Sequence, residues 1–450
     1  MARAKKEAAL TPEERLQAAL VPDWERPYKL PENWCWTTVG AINQYVGISA
    51  DPTKAKNKTF ELYSVPSSAD NYPEIVLGAD IGSTKQSVKK GDVLLCKINP
   101  RINRVWKVSK YTDHSLLASS EWIVIRNSGL ISNYLMWCFR SPYFRGYMLS
   151  NVSGVGGSLM RAQPKFVQGY PVPVPPLAEQ QRIVDRIESL FAKLDEAKEK
   201  AQAVVDSFET RKAAILHKAF TGELSAKWRE EHGVGMDSWE HHQFSDLCAI
   251  VRGGSPRPAG DPRYYDGNIP FMKVADITRN DSPYVSKVEY SIKEEGLKKT
   301  RMVEANTLLL TNSGATLGVP AITTIRTTFN DGIAAFIGLD IDSLLFYYYF
   351  WTSKTAFLRS INMGAAQPNL NTKLIGEVEI DVPQTAERVE IARVLNALLS
   401  KEQQAKEAAE AVLDQIDLMK KSILARAFRG ELGTNDPSEE SAVELLKQIF

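Results

Sequence analysis

The chain has 450 residues, 44% of them hydrophobic and 24% charged, with a formal net charge of +1. That length predicts two or three domains rather than one core, and the composition excludes collagen-like, disulfide-scaffold and wholly disordered chains. The longest apolar run, residues 344–351, is far short of a membrane span, no apolar signal core follows the N-terminus, and Cys35, Cys96, Cys138 and Cys248 stand singly. A cytoplasmic chain with no membrane partner, no metal site and buried free thiols is expected.

In chain order, an N-terminal helical arm (1–21) precedes a unit at 22–176. This unit opens on NWCWTTVGAI at 33–42, carries a strand-like KKGDVLLCKI at 89–98 and an aromatic helix at 133–148, and closes on the polar loop GGSLMRAQPKF at 156–166. It holds 18 basic against 11 acidic residues, a net +7. Its segment CKINPRINRVWKVSK (96–110) has no acidic residue. There Lys97, Arg101, Arg104, Lys107 and Lys110, interleaved with Asn99, Asn103 and Trp106, suit phosphate neutralisation plus amide readout of base edges. Ser158, Arg161 and Gln163 of the closing loop join these candidates, although a solvated basic hairpin has the same composition.

A long helix is predicted within 177–232, with apolar residues at alternating intervals of four and three: Ile183, Ile187, Leu190, Leu194, Ala197, Ala201, Val204, Phe208 and Ile215. A second unit at 233–383 repeats the order of the first, with SWEHHQFSDL at 238–247, VEANTLLLTN at 303–312, an aromatic helix at 343–361 and MGAAQPNLN at 363–371. Its net charge is −3, from 14 basic and 17 acidic residues. Its polyanion candidates are therefore local: Arg252 and Arg257 in a Gly/Pro loop, Lys273 beside a strand, Asn312 and Ser313, and Gln367 and Asn369. Small residues let backbone approach phosphate and amides can pair with adenine, but turn chemistry alone also favours these glycines and asparagines.

A second long helix is predicted within 384–432, with its seam at Ile391, Leu395, Leu398, Ala405, Ala409, Val412, Ile416, Met419 and Ile423, before a tail at 433–450. Shifting the chain by 208 residues lays 179–224 on 387–432 with nineteen of forty-six positions identical, so the two helices are copies. Arg211 in the first and Glu402 in the second interrupt the seams. Each helix needs a partner along its length: the other copy in the same chain is the nearest one, and a homodimeric coiled coil between two chains is the alternative. The expected fold is α+β: a tandem duplication of two mixed α/β domains, each followed by a long helix, the two helices pairing as an antiparallel coiled coil.

Marks of catalysis are missing from the sequence. NPRI at 99–102 and DPRY at 261–264 lack the second proline of an adenine methyltransferase run, no Walker loop is present, and SGVGGS at 153–158 does not sit in a strand-to-helix unit. His241 and His242 are adjacent, which does not place two zinc ligands on one helical face.

The chain resembles the DNA-specificity subunits of type I restriction–modification systems. The resemblance rests on the two helices, on PPLAEQQRIV (175–184) and its echo VPQTAERVEI (382–391), and on the endings FTGEL (220–224) and FRGEL (428–432). KKGDVLL (89–95), GNIPFMKVADI (267–277) and the tail TNDPSEESAVELLKQI (434–449) carry it further. It implies two target-recognition domains, each reading one half of a bipartite site in double-stranded DNA and spaced by the helices. It further implies two methyltransferase subunits docked on those helices, with restriction and translocase subunits attached through them. No cofactor is then expected in this chain, and S-adenosylmethionine, ATP and Mg belong to the partners. Gln384, Thr385 and Arg388 depart from the family's pattern at the start of the second helix. A coiled-coil adaptor that binds only proteins, or an unrecognised enzyme, are the rival readings.

Overall fold

The computed structural model describes residues 11–154, 160–361 and 370–449. It divides into two units, Met1–Ala201 with Ala411–Phe450 and Gln202–Glu410, and the division falls inside both long helices.

In the first unit, Cys35–Thr38 pairs antiparallel with Pro171–Val174, so the two ends of the domain are zipped together just before the long helix. The sheet that positions the candidate site has Val93–Cys96 at its centre, flanked by Val105–Lys107 and Trp122–Ile125. All four residues of the central strand are buried because both of its faces are covered. Val93 and Leu95 face the core of the aromatic helices, and Leu94 and Cys96 face Tyr63, Trp106 and Trp122. A five-stranded sheet runs Ser49–Ala50, Lys85–Ser87, Ser115–Ala118, Thr59–Tyr63, Glu74–Leu77. The aromatic helix splits into Ser132–Arg140 and Pro142–Ser150. Pro142 offers no N–H, Ser141 is driven to an extended conformation, and its hydroxyl accepts from the Phe144 N–H at 3.2 Å.

The second unit repeats this plan with different lengths. Glu240–Gln243 pairs antiparallel with Glu379–Val382, and the central strand Thr307–Thr311 lies between Ile333–Ile337 and Pro320–Thr323. Ala249–Arg252 and Tyr284–Val285 extend that sheet to five strands. Here the aromatic helix, Leu344–Ile361, is unbroken, and Phe350 and Trp351 pack against Phe244.

The long helices are antiparallel in both units. In the first, Phe191 and Asp195 meet Lys420; in the second, Phe208 meets Lys406 and Arg211 meets Glu402. The second helix is continuous over Thr385–Ala427, whereas the first runs Leu177–Asp206 and resumes over Phe208–Phe220. At the break the Ser207 hydroxyl donates to the Ala203 carbonyl one turn back, a contact that bends helices. Of the expected seam residues, Ile183, Ile187, Phe208, Ile391, Leu395 and Ile416 are buried, and Leu190, Leu194, Val204 and Leu398 are half-buried.

Val412 and Met419 are instead exposed, at 42% and 48%. The less exposed row there is Lys406, Ala409, Leu413, Ile416, Lys420 and Leu424. A straight helix drifts relative to a strict heptad, and Lys406 and Lys420 lie across the seam with their ammonium groups 4.9 and 5.1 Å from the ring centres of Phe208 and Phe191.

The repeated motifs meet where one helix starts and the other ends. In the first unit Glu179, fully buried, accepts from the Thr434 hydroxyl at 2.7 Å and pairs with Arg182 at 2.9 Å, while Arg182 forks onto Glu439 at 2.7 and 2.8 Å. Burial pushes the Glu179 carboxyl up, and Thr434 and Arg182 pull it back. In the second unit the equivalent Glu387, also fully buried, accepts from Ser225 and Arg229, each at 2.7 Å. Gly222 and Gly430, the glycines of the two GEL endings, turn the chain with φ of +79° and +75°.

Candidate nucleic-acid interface

Both units present a cluster at the end of the central strand. In the first, Lys97 follows Val93–Cys96; its N–H donates to the Glu121 carbonyl at 3.0 Å and its carbonyl accepts from the Ala162 N–H at 2.8 Å. The hairpin beyond it turns through two left-handed asparagines, Asn99 (φ 47°) and Asn103 (φ 55°), on either side of Pro100–Ile102. Asparagine is the non-glycine residue that best tolerates this backbone, which accounts for both positions without any base. The Asn103 amide is also engaged, donating to the Arg140 carbonyl at 3.1 Å, whereas the buried Asn99 Oδ1 has no partner among the described residues.

The basic residues divide in role. Arg101 is exposed at the tip of the hairpin, with its carbonyl held by Arg145, and Lys97 and Arg104 are half-buried. Lys107 donates to Asn133 Oδ1 at 2.6 Å, Lys110 pairs with Asp113 at 2.8 Å, and Arg161 lies 3.4 Å from Glu121. Trp106 is a core residue packed between Tyr63 and Trp122. Gln163 is half-buried and precedes the short helix Pro164–Val167, which exposes Lys165 and Phe166. Ser158 lies outside the described residues.

In the second unit Asn312 takes the place of Lys97. Its N–H donates to the Gly332 carbonyl at 2.9 Å and its carbonyl accepts from the Leu370 N–H at 2.7 Å, the same pair of bonds. Its side chain is fully buried, and neither amide atom has a hydrogen-bond partner among the described residues. Ser313, half-buried, faces Gly332, where a Cβ would stand 2.9 Å from the serine hydroxyl. Arg252 donates to the Asp331 carbonyl at 2.7 Å, Ser255 to the Asp331 carboxylate at 2.5 Å, and the exposed Arg257 lies 3.7 Å from the same carboxylate. Lys273 holds its ammonium 3.1 Å from the centre of the Tyr290 ring.

Gly253 and Gly254 serve the fold. A Cβ on either would stand 2.2 and 2.3 Å from the Asn330 and Lys299 carbonyls, so backbone packing requires their lack of a side chain. Gln367 and Asn369 lie outside the described residues. By hydrogen bonding, the counterpart of Gln163 is Asn371, which caps Thr372–Gly376 by accepting from the Leu374 N–H at 2.8 Å. The sequence reading missed Glu121, Asn330 and Asp331; the NDG triplet at 330–332 is the available signal for a strand-end turn.

The four cysteines are free thiols, and burial pushes Cys35 and Cys248 up to about 12, out of reach of thiolate chemistry at neutral pH. Among the described residues no group of His, Cys, Asp or Glu is arranged to hold a metal ion, and no helix is long and apolar enough to cross a membrane.

A duplicated domain on an antiparallel helix pair, with a polar and basic cluster at one strand end of each copy, is the architecture of a DNA-specificity module. The chain matches the family described as "Type I restriction modification DNA specificity domain" twice, over residues 47–205 and 236–411, and belongs to it. It is 21% identical over 457 residues to the specificity subunit of the type I restriction enzyme EcoKI from Escherichia coli strain K12, covering 94% of this chain and 96% of that one. The crystal structure of the HsdS subunit from Thermoanaerobacter tengcongensis matches with a TM-score of 0.66 at 21% identity, covering 91% of this chain and 100% of the other. A chain solved in work on complex assembly and conformational transition of the type I R-M system matches with a TM-score of 0.68 at 22% identity, covering 90% and 100%. At such identities the structural likeness bears on the fold.

Proposed function

We propose that this chain is the non-catalytic specificity subunit of a type I restriction–modification complex in the cytoplasm, reading a bipartite, gapped DNA site with one domain per half. The carrying observation is the duplicated strand-end cluster, built on the same backbone bonds at Lys97 and at Asn312 but with different side chains. Two copies of one frame with different chemistry suit two half-sites of different sequence. Arg101 and Arg104 act on phosphates in this reading. The helix pair sets the gap and offers the exposed Val412, Leu418 and Met419 to the methyltransferase subunits. Two such subunits bring S-adenosylmethionine, and restriction and translocase subunits join through them with ATP and Mg.

Base-resolved methylation mapping in cells carrying this chain with its cognate methyltransferase tests the reading. One gapped motif is expected, and exchanging residues 22–176 for those of a relative should change one half of it only. Methylation by the purified chain alone, with DNA and S-adenosylmethionine, would contradict the non-catalytic role. Absence of DNA affinity in the assembled complex would favour the protein adaptor.

A further inference from the structure

The two residues that interrupt the heptad seams are bonded to each other. Arg211 Nε lies 2.7 Å from Glu402 Oε2, with the side chains 33% and 25% exposed. Arg211 is held further by the Val204 carbonyl at 3.1 Å and by the Ser207 hydroxyl at the helix break. The positions related to these by the 208-residue repeat are Met419 and Leu194, in the other unit. One place in the helix pair is thus ionic in one unit and apolar in the other.

Several other contacts along the seam would survive if the first helix paired with its own copy. Lys406 and Lys420, which cover Phe208 and Phe191, have Lys198 and Lys212 at the equivalent places in the first helix. Ser225 and Thr434, which close on the buried glutamates, are likewise both hydroxyl residues. A first helix paired in the same register with the first helix of a second copy would keep its lysine-on-phenylalanine contacts, its Asp195–lysine pair and its hydroxyl–glutamate bond. It would, however, set Arg211 against Leu194, twice. The second helix paired with its own copy would set Glu402 against Met419, twice. Each mismatch leaves a half-buried charge without its partner.

We infer that the Arg211–Glu402 ion pair is a specificity element within the seam that directs the first helix to the second helix of its own chain and away from a second copy of itself. A polar pair in an otherwise apolar seam selects partners at little gain in stability. The inference stands apart from the proposed function, since it needs neither DNA nor methyltransferase.

Its test is the association state of the full-length chain refolded from denaturant over a range of concentrations, read by sedimentation velocity. The wild type is expected as monomer. R211M/E402L, which gives this unit the residues of the other, should raise the dimer fraction about tenfold or more. R211E, which sets two glutamates against each other, should also raise it, and adding E402R should return it to the wild-type level. R211M/E402L as monomeric as the wild type would overturn the inference, and so would R211E/E402R dimerising as strongly as R211E.

Discussion

In both units the residue after the central strand is fastened by the same two backbone hydrogen bonds, yet Lys97 stands half-open beside a basic hairpin and Asn312 is fully buried, its amide without a hydrogen-bond partner among the described residues. The latches differ in the same spirit. Glu179 shares Arg182 with Glu439, whereas Glu387 is the carboxylate partner of the nearly buried Arg229. The duplicated backbone is therefore a frame that tolerates exchange of its polar contents, and net charge reports those contents rather than the frame. A net +7 domain and a net −3 domain perform the same fold because few of those charges lie in the cores.

The largest expected effect breaks the symmetry of the latches. E387A should destabilise the protein by about 3 to 5 kcal/mol, since it strands a buried arginine. E179A should cost about 1 to 2 kcal/mol, because Arg182 keeps Glu439. Urea unfolding monitored by tryptophan fluorescence measures both, and equal losses would mean that Glu439 contributes nothing. R229M/E387L should restore most of the first loss.

The hairpin asparagines come next. N99A should cost about 1 to 2 kcal/mol, since alanine resists the left-handed backbone, and N99G should be nearly neutral. If N99G is stable but methylation of one half-site is lost, the amide is a reader after all. A smaller contrast separates two arginines. R101A should lower the salt-dependence slope of DNA binding by the complex by about one unit, as one phosphate contact would. R252A should weaken the fold at the Asp331 carbonyl and leave the slope unchanged.

The smallest effect concerns the strand pair 240–243 with 379–382. The Asp381 carboxylate, 2.8 Å from His241 Nδ1, raises that imidazole above its usual range. The protonated form is favoured in the folded state, so its contribution is present below about pH 6.5 and is lost as pH rises through the raised value. D381N should lower the His241 titration midpoint seen by NMR, and an unchanged midpoint would assign the shift elsewhere.

The duplication, the helices and their mutual pairing were legible because they rest on apolar periodicity and on glycine and proline at boundaries. The rotation of the second seam was not, since lysines lie across part of it and an apolar alphabet passes over Lys406 and Lys420. In the candidate site, backbone and core demands account for several of the residue types that the sequence offered as contacts. Asn99 and Asn103 answer to φ, Gly253 and Gly254 to close packing, and Trp106 to the core. The pairing of Gln163 with Asn371 escaped because matching letters, the Gln-Pro pair at 367–368, lie a few residues away from matching hydrogen bonds.

The antiparallel helices also fix an order of completion during synthesis. Unit 202–410 is one uninterrupted stretch, so all of its parts are out once residue 410 has left the ribosome. The unit that begins first cannot finish until last. Tyr134 awaits Phe428, Trp34 awaits Asn435, and the core of the first domain awaits Ala442 and Leu446. The parts of the second unit are therefore all synthesised before those of the first, the reverse of an N-terminal-first order. A chain stopped near residue 430 would thus leave bare the part of the first core that Ala442 and Leu446 cover, while unit 202–410 has all of its parts.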